Sequence, residues 1–188
     1  SHLESHGVPV VHVSQQTGFP EVMDGRVRTL HPHIHMALLG RATNPEDMSL
    51  LRQHGLEPFD LVIGNLYPFE AQLKEQEPLE ELVEYIDIGG PALLRAAAKN
   101  FPSITVICDP KDYSWILEKN DLSRDERQHL AAKVFGHISG YDGVIAATLA
   151  PTGLPKDLSI GGTLVQELRY GENPQQTAGW YRRRGASV

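Results

Sequence analysis

One cysteine in 188 residues rules out an internal disulfide, and Cys108, set in Ile104-Thr105-Val106-Ile107-Cys108, reads as a small core residue in a reducing compartment. Long hydrophobic runs are missing too. Nothing approaches the roughly 20 apolar residues that cross a bilayer, and the opening stretch with His2, Glu4 and His6 contains no apolar signal core. These absences indicate a cytoplasmic chain with no membrane partner. Positive charge is in deficit: 17 Lys and Arg against 24 Asp and Glu give a formal net charge of −7. An extended nucleic-acid backbone is therefore excluded as the main partner, because it needs clustered cations. A small anion needs only local positive charge. Arg26, Arg28, Arg95 and Lys99 supply it near the polar motifs, while Glu75, Glu77, Glu80, Glu81 and Glu84 form a separate solvated face.

What is present suits a folded α/β protein: 40% hydrophobic residues, enough to build a core, and a length of one domain or one domain plus part of a second. Residues 1–6 read as the tail of a helix stopped by Gly7, and residues 8–13 as a strand. Residues 17–29 are loop-like, residues 31–39 are strand or helix, and Asn44-Pro45 caps a helix reaching about Gln53. Apolar runs at 60–65 and 103–109 suit fully buried parallel strands. Helices are predicted at 79–85, 91–100, 112–119 and 125–135, the last running on toward Ala150. After the Pro- and Gly-rich stretch 151–155 comes strand-like spacing at 158–168 and a turn-rich loop, Arg169-Tyr170-Gly171-Glu172-Asn173-Pro174. Helices alternating with strands predict an α/β fold around a mainly parallel sheet.

Three segments carry chemistry. Ile86-Asp87-Ile88-Gly89-Gly90-Pro91 joins an apolar stretch to a helix, with Pro91 suited to the first helical position. It is either a plain strand-to-helix turn capped by Asp87 or a helix start that receives an anion. Asp24-Gly25-Arg26-Val27-Arg28-Thr29 puts two guanidinium groups on one face if extended, fit for phosphate or carboxylate, or else for local acids. Asn65-Leu66-Tyr67-Pro68-Phe69 sits past the carboxyl end of a predicted strand, the end that faces the ligand crevice in open α/β sheets. His31, His33 and His35 share a face in an extended chain and would make a three-imidazole metal site, although Pro32 between them argues for a shaped loop. Lys99 lies eight residues after Pro91, about 12 Å along a helix axis, so it joins Asp87 at one ligand only if that helix runs alongside the ligand.

The ordered set residues 17–32, Asn65 to Phe69, Ile86 to Asn100, His137 to Asp142 and Arg169 to Pro174 closely resembles the family of bifunctional purine biosynthesis enzymes that combine AICAR transformylase with IMP cyclohydrolase. The resemblance implies that residues 1–155 are an IMP cyclohydrolase domain of the three-layer α/β/α methylglyoxal-synthase-like fold. Its first strands and two phosphate-holding loops are expected to precede Ser1 in the family. Residues 156–188 would begin the transformylase domain, whose catalytic region follows. The implied reaction closes the ring of FAICAR to IMP with loss of water, without metal or organic cofactor. The transformylase half would use 10-formyltetrahydrofolate as co-substrate, and the family implies a homodimer.

By motif, the resemblance makes Arg26, Val27, Arg28, Thr29, Asn65, Leu66, Asp87, Ile88 and Gly89 substrate-binding, makes Tyr67, Asp87 and Lys99 catalytic, and makes Arg169 and Tyr170 part of the AICAR site. Two positions depart from the family pattern. Arg28 stands where the family normally carries lysine, and because a guanidinium stays protonated it binds charge rather than shuttling a proton. His33-Ile34-His35-Met36-Ala37 replaces the usual Lys-x-His-Gly-Gly, which removes the close backbone approach that glycines allow. A metal-dependent hydrolase built on the three histidines, and a nucleotide-binding domain without catalysis, are the competing readings.

Overall fold

The computed structural model describes residues 2–119, 121–151 and 154–183. In chain order its elements are α1 (His2–Ser5), α2 (Val13–Thr17), α3 (Pro32–Leu39), α4 (Pro45–Gln53), β1 (Leu61–Ile63), α5 (Phe69–Lys74), α6 (Leu79–Leu82), α7 (Gly89–Lys99), β2 (Thr105–Ile107), α8 (Tyr113–Leu117), α9 (Arg124–Leu149), β3 (Gly162–Leu168) and β4 (Ala178–Arg183). Short 3₁₀ turns lie at Met23–Gly25, Val83–Tyr85 and Pro110–Asp112. The chain divides into two compact units, residues 1–66 with 87–135, and residues 67–86 with 136–188.

In the first unit β1 and β2 pair in parallel, with Val62 opposite Val106. α7 packs on both strands and on α3. Its Ala96, Ala97 and Ala98 are buried, small enough to bring the helix backbone close, and Leu38, Leu94, Val106 and Val134 are fully excluded from solvent. Asn100, the residue after α7, is the buried polar group of this core. Its Nδ2 donates to the carbonyls of Leu38 at 3.0 Å and Gly40 at 2.9 Å. It thereby satisfies acceptors at the end of α3 that have no partner within that helix. α4 starts as its sequence predicts, with the Asn44 side chain accepting from the N–H groups of Glu46 and Asp47.

The carboxyl end of β2 is tied to α9 by charge. Lys133 Nζ lies 2.8 Å from Asp109 Oδ2 and 2.8 Å from Asp112 Oδ1, all three side chains being partly shielded. Burial pulls the Lys133 amine down, but the hydrogen bonds to Asp109 and Asp112 outweigh it and leave the amine above its usual range. The Lys133 hydrogen bond holds the Asp109 carboxyl below its usual range. Cys108 is buried beside them, and that burial pushes its thiol up, in keeping with a core residue.

In the second unit Phe69, at 1% exposure, meets the Tyr141 ring edge-on at 6.4 Å, and Tyr141 Oη donates to the Tyr85 carbonyl at 3.1 Å. β3 and β4 form an antiparallel hairpin with an irregularity between Leu164 and Gln166. α9 is one helix of 26 residues, as its continued periodicity predicts.

Several expectations need correction. Residues 8–13 form no strand: among the described residues no strand lies beside them, and Gln15 Oε1 accepts from the His12 N–H to start α2 instead. β1 is not buried on both faces, since Leu61 and Ile63 are 46% and 52% exposed. The described strands form one parallel pair and one antiparallel pair, a mixed α/β arrangement rather than a mainly parallel sheet. α7 begins at Gly89, two residues before Pro91, which a proline tolerates because N–H groups of the first turn have no helical acceptor. The 79–85 helix breaks into α6 and a 3₁₀ turn, and the second hairpin strand β4 carries no signal that sequence reasoning used. Thr152 and Gly153 of the predicted linker lie outside the described residues.

Two measurements check this account. Asn100→Ala strands two buried carbonyls and should lower stability by about 2 kcal/mol or more in denaturant unfolding. Lys133→Met should cost about 1–2 kcal/mol near neutral pH. The Asp109 contribution is present above the ordinary carboxylate range and is lost as pH falls through its depressed titration. The Lys133 contribution is lost only as pH rises through its raised one. The gap between wild type and variant should therefore be widest at neutral pH and close at both extremes.

Candidate functional site

The segment after α2 turns rather than extends. Met23 and Asp24 adopt φ of 55° and 52°, a region favouring glycine, and Val22 bridges Val27 across the turn. Arg26 and Arg28 therefore do not alternate on an extended face; Arg26 has helical φ and ψ. Arg28 Nη1 lies 3.7 Å from Glu21 Oε1, with both side chains half exposed, so it answers a local acid and still meets solvent. The turn ends at Thr29, and there it meets α7. A β-carbon placed on Gly89 would come within 2.9 Å of Thr29 Oγ1, so any larger residue at the first position of the helix makes the threonine side chain shift. Asp87 caps the same end, its Oδ1 accepting from the Gly90 N–H at 2.8 Å.

β1 arrives beside them. Gly64, whose N–H donates to Ile107 O, faces Leu94, and a β-carbon there would stand 3.2 Å from Leu94 Cδ2. Asn65 follows, exposed, with Leu66 partly covered. Thus Thr29, at the end of the Arg26, Val27, Arg28 and Thr29 turn, meets the Asp87, Ile88 and Gly89 segment at the start of α7, while Asn65 with Leu66 follows the end of β1, whose Gly64 packs on Leu94 farther along α7, all within the first unit. α3 runs in the same direction as α7, because Thr29 touches the start of α7 while Asn100 holds the end of α3. Both helices present their first-turn N–H groups at this end, where an anion is favoured.

Other predicted residues lie elsewhere. Lys99 is the last residue of α7, ten steps and about 15 Å along the axis from Gly89. It lines a mostly apolar groove of about 580 Å³ with Leu39, Arg95, Phe101 and Phe135. Arg95 stacks over the Phe135 ring at 5.3 Å. Tyr67 is exposed and opens the second unit, as Phe69 two residues on fills that unit's core. Arg169 and Tyr170 follow β3 in the hairpin connection, both exposed. The three-histidine metal site is not supported: residues 32–39 are helical, His33 meets the His31 ring edge-on at 4.8 Å while His35 Nδ1 lies 3.3 Å from the His31 carbonyl, and no cluster of three metal-ligand residues occurs among the described residues. Met36 and Ala37 sit inside α3, with Ala37 in the core, so side-chain packing occupies positions where the family has glycines.

Sequence reasoning missed the contact of Thr29 with Gly89 and the role of His31, whose Nδ1 accepts from the His33 N–H at 3.2 Å as the N-cap of α3. Histidine followed by a proline at the first helical position was the available signal.

A mixed α/β domain in which a polar turn meets the start of a buried helix is the class defined by this fold and site. Residues 1–92 match the MGS-like domain and residues 97–188 match the AICARFT/IMPCHase bienzyme. Curated relatives named bifunctional purine biosynthesis protein PurH are 50% identical in Chloroflexus aurantiacus, over 95% of this chain and 36% of that protein, and 47% identical in Bacillus subtilis, again over 95% and 36%. The crystal structure of ForH agrees with a TM-score of 0.66 at 29% identity, over 77% of each chain. The chain belongs to the family of the bifunctional purine biosynthesis protein PurH, as its MGS-like domain followed by the start of the bienzyme region. It spans just over a third of the length of those relatives.

Gly89→Ala should push Thr29 away and weaken binding of a purine nucleoside monophosphate about tenfold or more, with far-UV circular dichroism unchanged. Titration calorimetry on the two proteins checks it.

Proposed function

We propose that this chain carries the IMP cyclohydrolase site of a bifunctional purine biosynthesis enzyme. Residues 1–155 are assigned to the cyclohydrolase domain, of three-layer α/β/α form, and residues 156–188 to the start of the transformylase domain. The observation that carries the reading is the meeting of Thr29, Gly89 and Asp87 at the start of α7, in a chain up to 50% identical to such enzymes. The substrate is FAICAR and the product IMP, without metal or organic cofactor. Formyl transfer from 10-formyltetrahydrofolate to AICAR belongs to the other domain, toward which Arg169 and Tyr170 contribute. The working protein is a cytoplasmic homodimer.

Ring closure joins the carboxamide nitrogen to the formyl carbon. The formyl oxygen leaves as water, taking one proton from the carboxamide nitrogen and one from the formamide nitrogen. The first requirement is a folded substrate, so positioning supplies much of the rate. Arg26, Val27, Arg28 and Thr29 with the α7 start hold the nucleotide end. Leu66 and Ile88 flank the base. Asn65 and backbone N–H groups stabilise the oxyanion that develops on the formyl oxygen. Asp87, oriented by the Gly90 N–H, accepts a proton, and Tyr67 and Lys99 complete the proton path. Arg28 binds and does not titrate.

The length of α7 between Asp87 and Lys99, and the replacement of lysine by Arg28, favour one alternative, a nucleotide-binding domain without turnover. Absorbance-monitored conversion of FAICAR to IMP separates the two, using this chain beside a version extended to the length of its relatives. Turnover in the extended version, reduced at least 100-fold by Asp87→Asn and by Lys99→Met, is the expected result. Near-normal turnover in either variant removes that residue from the catalytic group. IMP binding with no turnover in either length moves the assignment to the binding domain.

A further inference from the structure

His31 joins the nucleotide turn to the core through both its backbone and its ring. Its N–H donates to the Thr29 carbonyl at 2.9 Å, and its Nδ1 accepts from the His33 N–H at 3.2 Å. Pro32 has no N–H to offer, so the His33 bond is the first side-chain cap of α3. An imidazole accepts at Nδ1 only when that nitrogen is unprotonated; the ring must be neutral, with its proton on Nε2. The bond cannot survive in the imidazolium.

Two other rings approach His31. The His33 ring meets His31 edge-on at 4.8 Å, with its own Nδ1 buried and lacking a hydrogen-bond partner. The His54 ring, at the end of α4, is 6.0 Å from His33. His35 Nδ1 lies 3.3 Å from the His31 carbonyl, and Phe19 approaches the His31 ring at 6.4 Å. α2 carries no charged residue, and the His12 before it pairs with Glu4. In the nucleotide turn Arg28 is engaged with Glu21, and α7 places Arg95 and Lys99 near Leu39, at the far end of α3. Among the described residues no carboxylate pairs with His31, His33 or His54 to welcome an added charge. A proton there would also oppose the positive end of the helix dipole.

We propose that His31 is a positioning residue for the nucleotide turn: its backbone N–H holds the Thr29 carbonyl while its neutral ring caps α3, so that together they latch the turn to the helix start, and protonation of the ring breaks the cap and loosens the latch. The effect on nucleotide binding rests on the function proposed above, whereas the latch itself does not. The test uses the chain with IMP as the probe, in wild type, His31→Asn, whose amide oxygen caps without titrating, and His31→Ala. Amide hydrogen exchange across α3, corrected for intrinsic rates, and IMP affinity are measured at pH 8 and pH 5.5. Wild type should lose α3 protection and about five- to tenfold in IMP affinity on acidification, beyond the change in His31→Asn, a comparison that cancels the titration of the nucleotide phosphate. His31→Ala should show the weaker protection at both pH values. An equal acid loss in His31→Asn, or full protection in His31→Ala at pH 8, overturns the proposal. So does nitrogen NMR of wild type at pH 8 that finds the proton on Nδ1, which requires no variant. If wild type binds no IMP at pH 8, the functional reading fails while the exchange and NMR data still decide the latch.

Discussion

The pairing of α3 with α7 is the constraint on which the first unit depends. At one end the Asn100 amide closes two carbonyls of the α3 terminus, deep in the core; at the other, Thr29 presses on a glycine that has no side chain to resist it. A buried amide that satisfies two acceptors is costly to lose, because neither carbonyl has water to turn to. The two helices cannot slide past one another without breaking the Asn100 bonds and moving Thr29 off Gly89. Their starts are therefore held level, and at that end Thr29 meets Asp87 and Gly89 from a distant stretch of sequence.

Charge adds to packing at the carboxyl end of β2. Lys133 reaches from α9 to Asp109 and Asp112, which follow the strand, so the strand end is held by ion pairs as well as by the helix packed on it. The candidate site stands at the carboxyl end of β1, the end from which open α/β sheets present their loops. The groups that meet at the start of α7 are backbone N–H groups and the short side chains of Thr29 and Asp87.

Much of the local structure was legible in the sequence because it is decided by near neighbours. Asn44-Pro45 capped a helix as predicted, and the helix begun at residues 125–135 ran on through Leu149 as one element. The errors arose where distant partners decide. Residues 8–13 have the composition of a strand, but a strand needs a neighbour to take its hydrogen bonds, and a helix cap at His12 prevailed instead. The three histidines looked like a shared face at a spacing of two, yet the proline that opens α3 set a helical period, which leaves the His31 and His33 rings in contact and turns the His35 ring to the His31 carbonyl.

Composition and motif order alone determined that this is an α/β chain with no internal disulfide and which family it belongs to, because those properties reside in residue types and their sequence. Tertiary structure alone decided that Thr29 sits on Gly89, that Asn100 closes the end of α3, and that Lys99 lies about 15 Å along α7 from the helix start. Contacts between residues some sixty positions apart depend on how helices pack, and no local pattern records that.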